Sequence, residues 1–226
     1  VGIVERLKEV LQRIGKAEEL AGRPEGSVTL LAVSKTQPAD AVRALARAGQ
    51  VHFGENYLQE ALAKQEALAD LSGLVWHFIG PIQSNKTRFI ASRFDWVHSV
   101  DRFKIAERLS EQRPAELPPL NVCLQVNISR EISKSGVDPD ELPELARAVA
   151  GLPRLRLRGL MAIPAPASDL EGQRGPLRAL REALEQLQAP GLDTLSMGMS
   201  EDLEAAILEG ATCVRVGTAL FGPRLG

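Results

Sequence analysis

The sequence predicts an α/β fold: a single (β/α)8 TIM barrel with a leading N-terminal helix, one domain over residues 1–226. Three observations predict it. Eight short apolar segments alternate with stretches of helical periodicity, 226 residues suit one such barrel, and a composition of 44% apolar and 25% charged residues is that of an ordinary globular domain. An open doubly wound sheet uses the same alternation and is the competing architecture, but a count of eight strands favours closure.

The elements follow in order. Val4, Leu7, Val10, Leu11 and Ile14 recur at helical spacing, and Gly22-Arg23-Pro24 ends that pattern, which gives the leading helix. Strands are expected at 28–34, 51–54, 75–79, 96–99, 121–128, 156–162, 194–197 and 213–216, where short apolar runs fit strands buried on both faces of a parallel sheet. Helices are expected at 38–48, 57–70, 102–112, 141–150, 175–188 and 201–209. Pro38 suits a first helical turn and Gly49 ends the helix that it starts. The proline-rich pieces at 114–119 and 164–166 read as loops.

Composition narrows the function. With 27 basic and 29 acidic side chains, net charge −2 and no long Lys/Arg run, the chain offers no surface for a nucleic-acid backbone. No apolar run is long enough to span a bilayer, and the N-terminus reads as an amphipathic helix instead of a signal segment, so a cytoplasmic protein without membrane partners is expected. Cys123 and Cys213 sit in strand-like runs without metal or redox spacing and read as reduced core residues.

Barrel sites form at the C-terminal ends of the strands, so the residues delivered there carry the functional reading. The first strand ends in Ser34-Lys35-Thr36, with Lys35 on the same face as Leu31 and Val33. A partly desolvated lysine near a fixed cation keeps enough neutral amine to attack an aldehyde; a solvated lysine before a helix is the plainer alternative. Loops after the seventh and eighth strands of such barrels commonly hold a phosphate, and here they supply Ser200, Gly217 and Thr218. The alternative is that Ser200 is an N-cap and Gly217 a turn, and Glu201 and Asp202 would repel a phosphate unless they point away. Arg215 shares a face with Cys213 and should point inward, to either a carboxylate or a ligand acceptor.

Taken together, the segments Ala32-Val33-Ser34-Lys35-Thr36, Phe53-Gly54-Glu55-Asn56-Tyr57, Trp76 to Pro81 with Gln83 to Lys86, Ser133 to Gly136, Gly159 to Pro164, Leu195 to Ser200 and Val214 to Thr218 resemble, in order, the motifs of the pyridoxal phosphate homeostasis protein family, also called proline synthase co-transcribed proteins. The resemblance implies a barrel like the N-terminal domain of alanine racemase, with pyridoxal 5'-phosphate covalent on Lys35 as a Schiff base. It implies phosphate contacts at Ser200, Gly217 and Thr218, a guanidinium at the pyridine nitrogen from Arg215, Asn56 near the ring and Met161 lining the pocket.

The same resemblance implies a carrier in intracellular vitamin B6 and amino-acid homeostasis, without evident catalysis. An arginine at the pyridine nitrogen keeps its proton and makes the ring a weaker electron sink. Alanine racemases add a tyrosine from a separate domain, and no such domain is expected here. Tyr57 is the single tyrosine and reads as a packed or water-facing residue, while His52, His77 and His98 read as satisfied barrel residues. Lys134 is either a second amine that passes the cofactor on or an ordinary exposed lysine. The alternatives are a small amino-acid racemase or other imine enzyme, a class I aldolase-like barrel, and a cofactor-sensing regulator of a partner protein. Apo-enzymes that need pyridoxal phosphate are the expected transient acceptors, and a monomer or weak dimer is the expected assembly.

Overall fold

The computed structural model of the chain describes residues 2–132 and 134–223. Its strands are β1 (Thr29–Val33), β2 (His52–Glu55), β3 (Val75–Phe78), β4 (Trp96–Val100), β5 (Leu120–Gln125), β6 (Leu155–Met161), β7 (Thr194–Ser196) and β8 (Cys213–Val216). They form a closed barrel in sequence order, every pair parallel, with β8 returning to β1. The helices are α1 (Ile3–Leu20), α2 (Ala39–Arg47), α3 (Leu58–Ala67), α4 (Thr87–Arg93), α5 (Phe103–Gln112), α6 (Leu142–Ala150), α7 (Leu170–Gln186), α8 (Leu203–Leu208) and α9 (Thr218–Phe221). Among the described residues no helix is long and apolar enough to cross a membrane.

Strand parity divides the interior in two. Leu30, Ala32, Phe53, Phe78, Val97, Val122, Leu124 and Leu160 belong to one apolar cluster with the helices, which is the layer that parallel βα units bury. The opposite parity fills the barrel and is far more polar, with Thr29, His52, His77, His98, Thr194, Cys213 and Arg215. The apolar seal therefore lies mainly outside the barrel wall, while the inside mixes hydrogen-bonding groups with apolar side chains such as Leu31 and Met161.

The leading helix α1 packs on α2, α8 and α9 across the seam where β8 meets β1. Arg13 fixes it there, with Nε 2.7 Å from Glu204 Oε2 and Nη2 donating to the Ser200 carbonyl at 2.8 Å.

Four elements depart from the sequence reading. Helix α7 starts at Leu170, five residues before the expected 175–188, because Asp169 caps it by accepting from Gly172 N at 3.2 Å. Gly175-Pro176 imitates a helix start, yet Pro176 lies inside the helix. The short helices α4 and α9 carry too few turns to show a period in the sequence. Strand β5 stops at Gln125, short of the expected 128; Val126 still donates to the Met161 carbonyl at 2.9 Å but also bridges Val137 in the following loop.

Candidate functional site

Closure of the barrel places the first and last strands side by side. Leu31 pairs with Arg215 and Ala32 with Val216, so the end of β1, where Lys35 stands half-buried, lies beside Gly217 and Thr218. The nearest groups to a side chain at Gly217 would be Val33 O at 3.5 Å and Val33 Cβ at 3.7 Å. With φ −112° and only ordinary contacts nearby, nothing among the described residues requires glycine at 217. Ser200 is not an N-cap of α8, which starts after Asp202; its hydroxyl accepts from Ala219 N at 3.2 Å instead, tying the β7 loop to α9. Glu201 is exposed, and Asp202 accepts from Met199 N at 2.7 Å while acting electrostatically on Arg215.

Arg215 is 4% exposed, and its guanidinium donates to Ser196 Oγ at 2.8 Å and to the Ala162 carbonyl at 3.0 Å. Among the described residues it forms no ion pair with a carboxylate. Burial pushes the guanidinium below its ordinary pKa, and the acidic groups acting on it are the Cys213 thiol, Asp202 and the Cys123 thiol. A buried cation without a carboxylate costs several kcal/mol, on the order given for desolvated ions, unless a polar ligand completes it. Met161 is fully buried on the strand beside Ser196, outside the helix-facing apolar cluster.

The other side of Lys35 is held by a network that the sequence reading missed. Glu55, 0% exposed, accepts from the Ser34 hydroxyl and from Lys64 Nζ at 3.0 and 3.1 Å. Lys64 Nζ also reaches the Ser34 carbonyl at 2.5 Å and Glu60 Oε1 at 2.8 Å, while Glu60 Oε1 accepts from Thr36 N at 2.5 Å. The residues before and after Lys35 are thus both fastened to one buried cluster. Thr36 sits at φ +66°, a left-handed conformation that costs a branched residue about 1–2 kcal/mol. Burial raises the Glu55 carboxyl above its ordinary pKa, opposed by Ser34 and Lys64. Glu55 lay within a quoted motif; Lys64, a charge on a helix face, gave no signal of burial.

Asn56 follows Glu55, and its Oδ1 is buried without a protein partner. A side chain at Gly80 would meet the Asn56 carbonyl at 2.3 Å, so close approach of the β3 loop seats this residue. An orphaned acceptor on one side, an uncompensated guanidinium on another and an unfilled glycine on a third fit a polar, anionic ligand of several functional groups.

Tyr57 is 53% exposed at the start of α3. Lys134 is exposed, 3.8 Å from Glu131 Oε1. Ser133, the first residue of the quoted segment to Gly136, lies outside the described residues. Cys123 and Cys213 are buried thiols, as expected of core cysteines, and burial pushes Cys213 up to about 11 and Cys123 higher still.

Fold and site together define a cofactor-type α/β barrel, and comparison with known proteins agrees. Residues 6–224 match the alanine racemase N-terminal domain family. The pyridoxal phosphate homeostasis protein of Pseudomonas aeruginosa is 66% identical over 222 residues, covering 98% of this chain and 96% of its own length. That of Escherichia coli is 55% identical over 226 residues, covering 98% and 97%. PipY of Synechococcus elongatus, solved with PLP bound, superposes with a TM-score of 0.85 at 41% identity, over 98% of this chain and 100% of that one. Alanine racemase from Enterococcus faecalis, at 19% identity and a TM-score of 0.66, covers 95% of this chain and 58% of its own and shares the fold. The chain belongs to the pyridoxal phosphate homeostasis protein family.

Proposed function

We propose that this protein is a carrier of pyridoxal 5'-phosphate, bonded through Lys35 Nζ as a Schiff base and held for release into intracellular vitamin B6 and amino-acid homeostasis. In this reading the whole chain, 1–226, is one cofactor-binding domain, Arg215 donates to the pyridine nitrogen, and Ser200, Gly217 and Thr218 take the phosphate. Asn56 and Met161 line the ring. The bound cofactor would supply a reactive aldehyde; the chain supplies its seat.

One observation carries the reading: Arg215 is a buried guanidinium with no carboxylate partner among the described residues, on the strand paired to the one that leads into Lys35. The names of the relatives and the ligand of PipY support the cofactor's identity. Turnover is handicapped in this reading but not abolished: an arginine-held pyridine nitrogen is a poor electron sink, and Tyr57 is exposed to water. The protein acts in the cytoplasm as a monomer or weak dimer, with apo-enzymes as transient acceptors.

The test is the absorbance of the purified protein with added pyridoxal phosphate, before and after borohydride, followed by peptide mapping. The expected result is a visible band that borohydride removes, with the label on Lys35, and no band in Lys35→Ala. A protein that stays colourless overturns the reading, as does a label on another lysine. Exchange of an amino acid's α-hydrogen with deuterated water at a turnover rate would replace the carrier by a racemase.

A further inference from the structure

The three histidines of the chain form one hydrogen-bonded column inside the barrel. His52 Nδ1 lies 2.9 Å from His77 Nε2, His77 Nδ1 lies 2.8 Å from His98 Nε2, and His98 Nδ1 lies 2.7 Å from Ser196 Oγ. Ser196 Oγ in turn accepts from Arg215 Nη1 at 2.8 Å. The column runs along a cavity of about 240 Å³ at the N-terminal ends of the strands, lined by all three histidines together with Thr29, Trp96 and Asp193. It ends at the guanidinium at the far side of the barrel.

Donor and acceptor rules give this column a direction. Arg215 can only donate, so Ser196 Oγ accepts from it and has one proton to place. Two groups compete for that proton: His98 Nδ1, at 2.7 Å, and the Cys213 thiol, which interacts with the same hydroxyl. An imidazole nitrogen is the stronger acceptor and sulfur the weaker. With Ser196 donating to His98 Nδ1, His98 carries its proton on Nε2 and donates to His77 Nδ1. His77 then carries its proton on Nε2 and donates to His52 Nδ1, leaving His52 Nε2–H for water at the cavity.

All three rings are neutral in this arrangement, which burial favours: it lowers His52, lowers His77 well below its ordinary value and takes His98 to about 3. A chain of like-oriented hydrogen bonds in a poorly solvated interior polarises cooperatively, so its links are not independent.

We propose that His98, His77 and His52 are positioning residues for Arg215, acting as a one-directional column that fixes the Ser196 hydroxyl and couples the cofactor end of the barrel to its opposite mouth. The claim rests on the reading that Arg215 meets the cofactor ring, but its test does not need the cofactor.

In protein labelled with 15N at histidine and free of cofactor, long-range proton–nitrogen correlation spectra report which ring nitrogen carries each proton. The expected result is the Nε2–H tautomer for His77 and His98. His52→Phe removes the last acceptor, and the expected result is a shift of His98 toward the Nδ1–H form, although residue 52 does not touch it. Ser196→Ala removes the donor at the other end, and there both rings are expected to become tautomer mixtures. After loading with pyridoxal phosphate, both variants are expected to move the visible absorption maximum relative to the parent.

Nδ1–H or mixed tautomers in the parent overturn the direction. A His98 tautomer unchanged in both variants overturns the coupling, as an individually satisfied histidine would behave in that way. If the parent shows the expected tautomers but binds no pyridoxal phosphate, the column stands and the cofactor reading falls.

Discussion

Lys64 Nζ stands 3.0 Å from Glu55 Oε1 behind the end of β1, and neither side chain reaches solvent appreciably. The pair is the hub that fastens Ser34 and, through Glu60, Thr36. Lys35 is therefore offered from a backbone clamped on both flanks.

Removing one member of this pair leaves the other buried and uncompensated. Lys64→Met is expected to cost about 3–5 kcal/mol in urea unfolding at neutral pH, and Glu55→Gln with Lys64→Met to recover part of it. The Glu55 carboxyl already has a folded-state pKa above its unfolded value. A raised acid binds more protons folded than unfolded, so stability falls as pH rises between the two pKa values. Losing Lys64 raises it further, and the deficit of Lys64→Met should shrink as pH is lowered. A deficit independent of pH would remove Glu55 as its cause.

The histidines predict the opposite slope. His98 falls to about 3 in the folded protein and His77 falls well below its ordinary value. Unfolded imidazoles bind protons below pH of about 6.5, so the unfolded state gains protons first and stability drops as pH falls from there toward 3. Each neutral buried histidine contributes about 1.4 kcal/mol per pH unit over that window. Equilibrium unfolding at stepped pH is expected to show a slope near two protons for His77 and His98, reduced by about one in His98→Gln.

Two glycines separate fold from ligand. Gly159→Ala would put Cβ 1.8 Å from the Thr194 carbonyl between β6 and β7, and is expected to abolish soluble expression. Gly217→Ala meets nothing closer than Val33 at 3.5 Å, so its thermal midpoint should stay near that of the parent. Its affinity for pyridoxal phosphate should drop at least roughly tenfold, a loss of about 1.4 kcal/mol, in a titration followed by visible absorbance. Unchanged affinity would move the phosphate away from this glycine.

Arg215→Met replaces a buried cation that has no carboxylate partner among the described residues by an apolar chain of similar length. The expected outcome is a cofactor-free protein as stable as the parent or more so, by as much as about 1–4 kcal/mol. Its spectrum with added pyridoxal phosphate should differ from the parent's. A marked loss of stability would mean that the bonds to Ser196 and the Ala162 carbonyl outweigh the desolvation of the charge.

The barrel was legible in the sequence because its signals are local and repeated: short apolar runs such as 213–216, and helical periods between them. The places of Lys35, Arg215 and Gly217 at or near the ends of β1 and β8 were also legible, since strand order alone sets them. What escaped depends on distance in space. Lys64 reads as one polar residue on a helix, and only the fold that sets α3 beside the end of β2 turns it into a buried partner for Glu55. The histidine column left a trace in retrospect, since His52, His77 and His98 fall on three successive strands. Register decides whether such rings meet, and register is not written in any one strand.

The seam between β1 and β8 has a bearing on how the protein comes into being. Leu31 belongs to the first strand of the barrel and its partner Arg215 to the last, so the strands between them must all be synthesised before the two can pair. The nascent chain therefore carries Lys35 through the synthesis of β2 to β7 before Arg215 exists. On the proposed reading, capacity for the ligand arrives with closure of this seam, and the finished barrel is the earliest form that can be loaded.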